Sequence, residues 1–150
     1  APLPPETQPG ARVRALGQLR SYNNRTGPGS RLVLTVHVSS LDLWDGEAVN
    51  RVLLRGTLCK LPTLRRTPLG RSICDVMLAV GRRYGRADYL PLIVWGQLAQ
   101  EVSLKAVGDT LGVEGRFQSR VYTKVIDGTA QQKTVYEVST MHLLDDPLPE

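Results

Sequence analysis

The chain has 150 residues, 41% hydrophobic and 22% charged, with 19 basic against 14 acidic side chains and a formal charge of +5. That length suits one well-buried domain of about 100 residues with an appendage, and excludes two full-sized domains. No apolar run approaches the roughly 18 residues of a membrane span, and the opening A-P-L-P-P-E-T-Q-P-G lacks both the basic and the apolar region of a secretory signal, so a cytoplasmic location is expected.

Cys59 and Cys74 are too few for a disulfide scaffold and have no zinc-ligand spacing, so reduced thiols and no metal or cofactor are expected. The charge is uneven: residues 47–144 carry 14 basic and 8 acidic groups, residues 1–46 carry 5 and 3, and residues 145–150 carry 0 and 3. Fifteen of the 19 cations are Arg, the side chain suited to planar stacking and bidentate phosphate contact, which favours a polyanionic partner.

In chain order, a Pro-rich start is expected to be extended, and Val13, Ala15, Gly17 and Leu19 alternating with Arg14, Leu16, Gln18 and Arg20 predict a strand. The turn cluster N-N-R-T-G-P-G-S separates it from the β-branched run R-L-V-L-T-V-H-V, giving a hairpin, and L-D-L-W-D-G-E-A reads as a connector with Trp44 docking the hairpin on the domain after it. A strand over Val49–Leu58, a turn through P-T-L-R-R-T-P-L-G and a strand over Ile73–Val80 come next. The basic loop G-R-R-Y-G-R-A-D leads to a strand over Tyr89–Trp95. Leu98, Val102 and Ala106 at i, i+4 and i+8, with Gly108 beyond, predict a short helix with a glycine stop. Strands over Thr110–Lys124 and Thr134–Leu143, joined across Asp127-Gly128, complete a β-β-β-α-β-β order.

P-G-A-R-V-R-A-L-G-Q-L-R-S near the start aligns without gaps on V-G-D-T-L-G-V-E-G-R-F-Q-S, matching Gly10 to Gly108, Gly17 to Gly115 and Ser21 to Ser119. R-L-V-L-T-V then falls on K-T-V-Y-E-V if the second loop is about four residues longer. Residues 1–46 therefore read as a Pro-rich start, a partial repeat and a connector, residues 47–144 as the complete domain, and residues 145–150 as a short acidic tail. Because the chain starts without Met and a lone hairpin is marginal in water, a longer parent chain is expected.

The chemistry concentrates on two strands. Along Gly115–Lys124, Arg116, Gln118, Arg120, Tyr122 and Lys124 share one face while Gly115, Phe117, Ser119 and Val121 share the other. Tyr89 and Trp95 likewise share a face with Pro91 and Ile93, and the neighbouring loop sets Arg82, Arg83 and Arg86 around Tyr84. Cations for phosphates beside flat rings for bases are what an unpaired nucleic-acid strand requires. Phe117 and Tyr136 are assigned to the core, Arg65 and Arg66 to an exposed turn, and His37 and His142, lacking partners of metal-binding type, to structural roles. No G-x-x-x-x-G-K-[ST], G-x-S-x-G, H-E-x-x-H or suggestive carboxylate pair is present, so no catalytic residues are assigned and no enzymatic activity is expected.

N-R-V-L-L-R-G-T-L, L-R-R-T-P-L-G, M-L-A-V-G-R-R-Y, I-V-W-G-Q-L-A and V-E-G-R-F-Q-S-R-V-Y occur in that order and resemble the bacterial single-stranded DNA-binding protein family over about residues 49–144. The resemblance implies an all-β OB fold, a five-stranded Greek-key barrel with one helix, assembling as a dimer or tetramer around single-stranded DNA. It implies stacking on Tyr84, Tyr89, Trp95 and Tyr122, and possible contacts with replication or repair proteins. Two departures bear on this. The loop between Tyr84 and Tyr89 is shorter than its family counterpart, and D-D-P-L-P-E comes after the last strand without the family's long linker, so no recruiting role is assigned to it. The rival reading is a primosome or restart-type OB module that binds other proteins, with DNA contact secondary, since fold alone does not fix function.

Overall fold

The computed structural model describes residues 3–24 and 31–144, and the chain divides into two compact units, Ala1–Val49 and Asn50–Glu150. Residues 25–30 of the turn cluster and the acidic tail at 145–150 lie outside the described residues, while Asn23 and Asn24 of that cluster belong to the first strand.

The first unit is an antiparallel hairpin of β1 (Val13–Asn24) and β2 (Arg31–Leu43). β2 runs further than the sequence suggests, because Leu41, Asp42 and Leu43 still find partners in Ala15, Arg14 and Val13. The chain beyond is tied to the hairpin's own end. The Trp44 indole N–H donates to the Glu47 carbonyl at 2.9 Å, the Arg12 guanidinium donates to the Gly46 carbonyl at 2.6 Å, and Arg14 lies 4.7 Å from the centre of the Trp44 ring.

The second unit consists of β3 (Val52–Leu58), β4 (Thr63–Arg66), β5 (Ser72–Gly81), β6 (Ala87–Trp95), α1 (Gly96–Ser103), β7 (Thr110–Ile126) and β8 (Thr129–Leu143). The strands lie in the order β3-β7-β8-β6-β5-β4, and β3 pairs again with β5 through Thr57↔Ala79 and Leu58↔Leu78. That second pairing closes β3, β7, β8, β6 and β5 into a five-stranded barrel with α1 between its third and fourth strands, the OB arrangement. All pairs are antiparallel except β6 with β8. The interior takes every second residue: Cys74, Val76 and Leu78 from β5, Leu90, Leu92 and Val94 from β6, Val113 from β7 and Val138 from β8, all buried, with Ala99 and Val102 of α1. Each large apolar side chain so buried contributes about 1.5–3 kcal/mol, which is what holds the closed sheet together.

Four expectations are revised. The stretch expected to be one long turn contains β4, because Thr63–Arg66 pair with Ser72–Asp75 and only Thr67–Gly70 make the turn, closed by the Gly70 N–H to the Thr67 carbonyl at 2.8 Å. The helix stops at Ser103, before Ala106, since the Asp109 carboxylate accepts the Ala106 N–H at 2.8 Å and organises the residues after the helix as a turn. β8 begins at Thr129, because Asp127 and Gly128 at φ +51° and +78° form a two-residue turn that lets pairing continue to the tip. Phe117 and Tyr136 are not core residues: the β3 ladder on β7 ends at Gly115 and the β6 ladder on β8 ends at Val138, so Tyr136 lies past both and is 52% exposed, while Phe117 is half-buried. The two rings instead stack on each other, centroids 6.4 Å apart.

The two hairpins share one pairing scheme. In the first, Leu16↔Ser40 is followed by Gly17↔Val38, and in the second Glu114↔His142 is followed by Gly115↔Thr140, so both are bulged by one residue on the returning strand at the same point. The correspondence continues pair by pair to Asn24↔Arg31 and Tyr122↔Lys133. Each bulge brings a carbonyl into the space of a missing side chain: a Cβ on Gly17 would strike the His37 oxygen, and one on Gly115 the Ser139 oxygen. Gly115→Ala is therefore expected to lower stability by roughly 1–3 kcal/mol through forced backbone displacement, read as a lower urea midpoint, whereas an unchanged midpoint would show that the bulge yields freely.

Candidate nucleic-acid interface

Strand register decides which side chains share the outer face of the second unit. Tyr89, Pro91, Ile93 and Trp95 of β6 lie opposite Ala79, Met77, Asp75 and Ile73 of β5, with Ile93 and Ile73 themselves buried between the polar and aromatic side chains of that side. Ile93 is also partnered with Ser139 of β8, which pairs with Arg116 of β7, and Glu137 pairs with Gln118 in turn. Arg120, Tyr122 and Lys124 continue this face along β7, with Lys133 opposite Tyr122. On the other side, Thr63 and Arg65 of β4 join it beside Asp75 and Ile73. One surface thus carries Tyr89, Trp95 and Tyr122 together with Arg65, Arg116, Arg120, Lys124 and Lys133.

The three rings differ in setting. Tyr89 and Tyr122 are 44% and 41% exposed, and Trp95, at the end of β6, is half-buried with the Arg71 guanidinium 5.3 Å from its ring centre. Tyr84 stands outside the strands on a single 3-10 turn, Arg83–Gly85, almost fully exposed and at φ +66°. A left-handed backbone under a bulky side chain costs energy, and such strain clusters at sites where presentation of the side chain matters.

The predicted cations divide by what they already hold. Arg83, Arg86, Arg116 and Lys124 are exposed. Arg82 is drawn to Asp88 at 3.0 Å, and Asp88 is only 1% exposed, so this guanidinium serves a buried carboxylate. Arg120 forks onto Glu137, Nε donating to Oε2 at 2.8 Å and Nη2 to Oε1 at 3.1 Å, while the Gln118 amide donates to the same carboxylate at 2.9 Å. Arg65 forks in the same way onto Asp75. Hydrogen bonding to Glu137 holds the Arg120 guanidinium above the ordinary arginine range against the opposing effect of burial, and hydrogen bonding to Asp75 does the same for Arg65. Arg65 also senses the charges of Arg120 and Glu137, so the two pairs are neighbours.

Sequence reading missed Arg65, Arg71, Asp75, Lys133 and Glu137 as members of this surface. Lys133 and Glu137 were recoverable from alternation along β8, while Arg65 and Asp75 required the β4–β5 pairing. A recess of about 390 Å³ between Asn50, Arg116, Phe117, Gln118, Ser139 and Met141 opens beside the cations. Asn50 there binds the Phe117 backbone twice, at 2.7 and 2.9 Å, and so continues the β3 edge. Among the described residues, no group of three His, Cys, Asp or Glu side chains is placed to hold a metal, and no helix is long and apolar enough to cross a membrane.

A barrel of this topology with rings and cations on one outer face has counterparts among known proteins. Residues 49–144 match the model of the single-strand binding protein family. The chain belongs to this family. Within it, the chain is 38% identical over 93 residues to a single-stranded DNA-binding protein of Clostridium tetani, a match covering 57% of this chain and 63% of the relative. It is 35% identical over 104 residues to single-stranded DNA-binding protein 3 of Clostridium acetobutylicum, covering 65% and 72%. Among solved structures, a deletion variant of the single-stranded DNA binding protein from Thermus aquaticus matches with a TM-score of 0.72 at 27% identity, covering 92% of this chain and 63% of that one. The single-strand binding match therefore spans just under two thirds of the Clostridium tetani and Thermus chains. The Thermus likeness also takes in more of this chain than its second unit alone.

The Arg82–Asp88 pair separates structural from exposed cations by experiment. Arg82→Ala is expected to destabilise the fold by about 2 kcal/mol or more, because it removes a cation from a buried carboxylate, whereas Arg83→Ala and Arg86→Ala should each change stability by less than about 0.5 kcal/mol. Equal effects in urea denaturation would remove this distinction.

Proposed function

We propose that this protein binds single-stranded DNA with little sequence preference, by stacking bases on Tyr84, Tyr89, Trp95 and Tyr122 and by phosphate contacts from cations around them. The observation that carries this reading is the common face: strand register gathers three rings from β6 and β7 among arginines and lysines, with a fourth ring almost wholly exposed beside them. Every base has a π-face, so stacking at about 1–3 kcal/mol per base tolerates any sequence. Phosphate neutralisation adds affinity that falls with salt, with a slope of about 0.7 per contact for single strands. Arg83, Arg86, Arg116 and Lys124, exposed and without an ion pair among the described residues, are the phosphate contacts in this reading.

The protein acts as a binder and not an enzyme, working in the cytoplasm to protect strands exposed during replication, recombination and repair. Three acidic side chains on that side, Asp75, Glu114 and Glu137, are engaged by guanidinium groups and not poised as a base. We read residues 1–46 as a partial copy of the barrel ahead of the complete domain at 47–144, supported by the shared bulge and pair-by-pair register of the two hairpins. Val13 and Val36 of the first hairpin are 41% and 52% exposed where their counterparts Leu111 and Val138 are buried, so the copy needs a covering layer. Assembly of several barrels as a dimer or tetramer, the family's mode of wrapping DNA, is the arrangement this reading favours.

Titration with oligo-dT should quench the intrinsic Trp and Tyr fluorescence strongly, more weakly as salt rises, while duplex DNA of equal length does not. Trp95→Ala is expected to weaken binding by about 1–3 kcal/mol with little change in salt slope. Absence of both quenching and binding would move the function to protein interaction.

A further inference from the structure

Arg120 lies on the proposed binding face, yet its surroundings are unlike those of the cations near it. Its partner Glu137 is 3% exposed and receives three hydrogen bonds, two from Arg120 and one from Gln118. By contrast Asp75, which holds Arg65, is 41% exposed. Arg65 can exchange its carboxylate for a phosphate, because water is at hand to solvate Asp75. Arg120 has no such freedom, since its departure would strand a buried carboxylate, a larger cost than an exposed phosphate contact returns. The fork also fixes the guanidinium plane, because two donors on one edge meet two acceptors. A third of the Arg120 side chain remains exposed, and its guanidinium carbon sits 6.0 Å from the centre of the Tyr122 ring.

Building on the single-strand binding reading above, we infer that Glu137 is a positioning residue which converts Arg120 from a phosphate ligand into a fixed, nearly charge-neutral shelf lying over the Tyr122 ring, whose outer side continues the stack for an adjacent base. Flat guanidinium planes accept bases much as aromatic rings do. The ion pair carries no net charge, so it displaces few counterions when DNA binds. The visible consequence is thermodynamic: Arg120 contributes to affinity without contributing to salt dependence.

The test compares oligo-dT dissociation constants over a range of salt for the wild-type chain, Arg120→Ala, Glu137→Gln and the double variant, each first checked for a cooperative thermal transition. Arg120→Ala combined with Glu137→Gln, which removes the pair without stranding a carboxylate, should weaken binding about tenfold at every salt concentration with a slope equal to that of the wild type. Glu137→Gln should steepen the slope by about 0.7, as one freed cation gains a phosphate. It should bind more tightly than wild type at low salt and lose that advantage at high salt, which damage to the fold would not produce. The steepening should vanish in the double variant. If the double variant instead flattens the slope by about 0.7 relative to wild type, Arg120 is a phosphate clamp and the inference fails while single-strand binding stands. The double variant decides the matter even if either single variant does not fold. If the wild-type chain does not bind oligo-dT, the binding reading fails and this inference with it.

Discussion

The pairing of β7 with β8 is the constraint on which the rest of the structure depends. Within the barrel these strands carry Val113 and Val138 into the core and are covered by β3 on one side and β6 on the other. The β3 ladder ends at Gly115 and the β6 ladder at Val138, opposite Phe117, while the β7–β8 pairing continues to the Asp127-Gly128 turn, so the same two strands change from wall to projecting arm. Their alternation, which inside the barrel separates core from surface, then separates a polar face bearing Arg116, Gln118, Arg120, Tyr122 and Lys124 from an aromatic face bearing Phe117 and Tyr136. The bulge at Gly115 and Met141 marks this change, and it is the point at which the backbone tolerates no side chain.

Electrostatics on the polar face is more restrained than the count of arginines suggests. Arg65, Arg82 and Arg120 are each matched by a carboxylate, so the positive potential of the face rests on fewer cations than the composition implies. Buried partners such as Asp88 and Glu137 hold their guanidinium groups permanently, whereas solvated partners such as Asp75 hold them conditionally. A face built this way has fixed geometry near Tyr122 and adjustable charge toward β4, which suits a ligand whose bases need flat supports at set positions and whose phosphates need only be near cations.

Much of this was legible in the sequence because period-two alternation is a local property. The faces of β6 and β7 followed from residue parity alone, as did the order of barrel strands and helix. The hairpin correspondence followed from an ungapped repeat. What was not legible depended on partners distant in the chain. Thr63–Arg66 looked like part of a turn until β5 supplied a ladder, and the helix end at Ser103 depended on an aspartate six residues further on. Phe117 and Tyr136 looked like core because alternation says which side a residue faces but not where the covering strand stops. Arg82 and Arg120 looked like free cations because the burial of Asp88 and Glu137 arises only when the strands assemble.

The central claim is that bases lie on the face shared by Tyr89, Trp95 and Tyr122, with Tyr84 beside it. Photocrosslinking to an oligonucleotide carrying halogenated deoxyuridine, followed by identification of the modified residues, tests it most directly. Adducts at Tyr84, Tyr89, Trp95 or Tyr122 are the predicted result. Adducts confined to Phe117 and Tyr136 on the opposite face, or to Trp44 in the first unit, would contradict it.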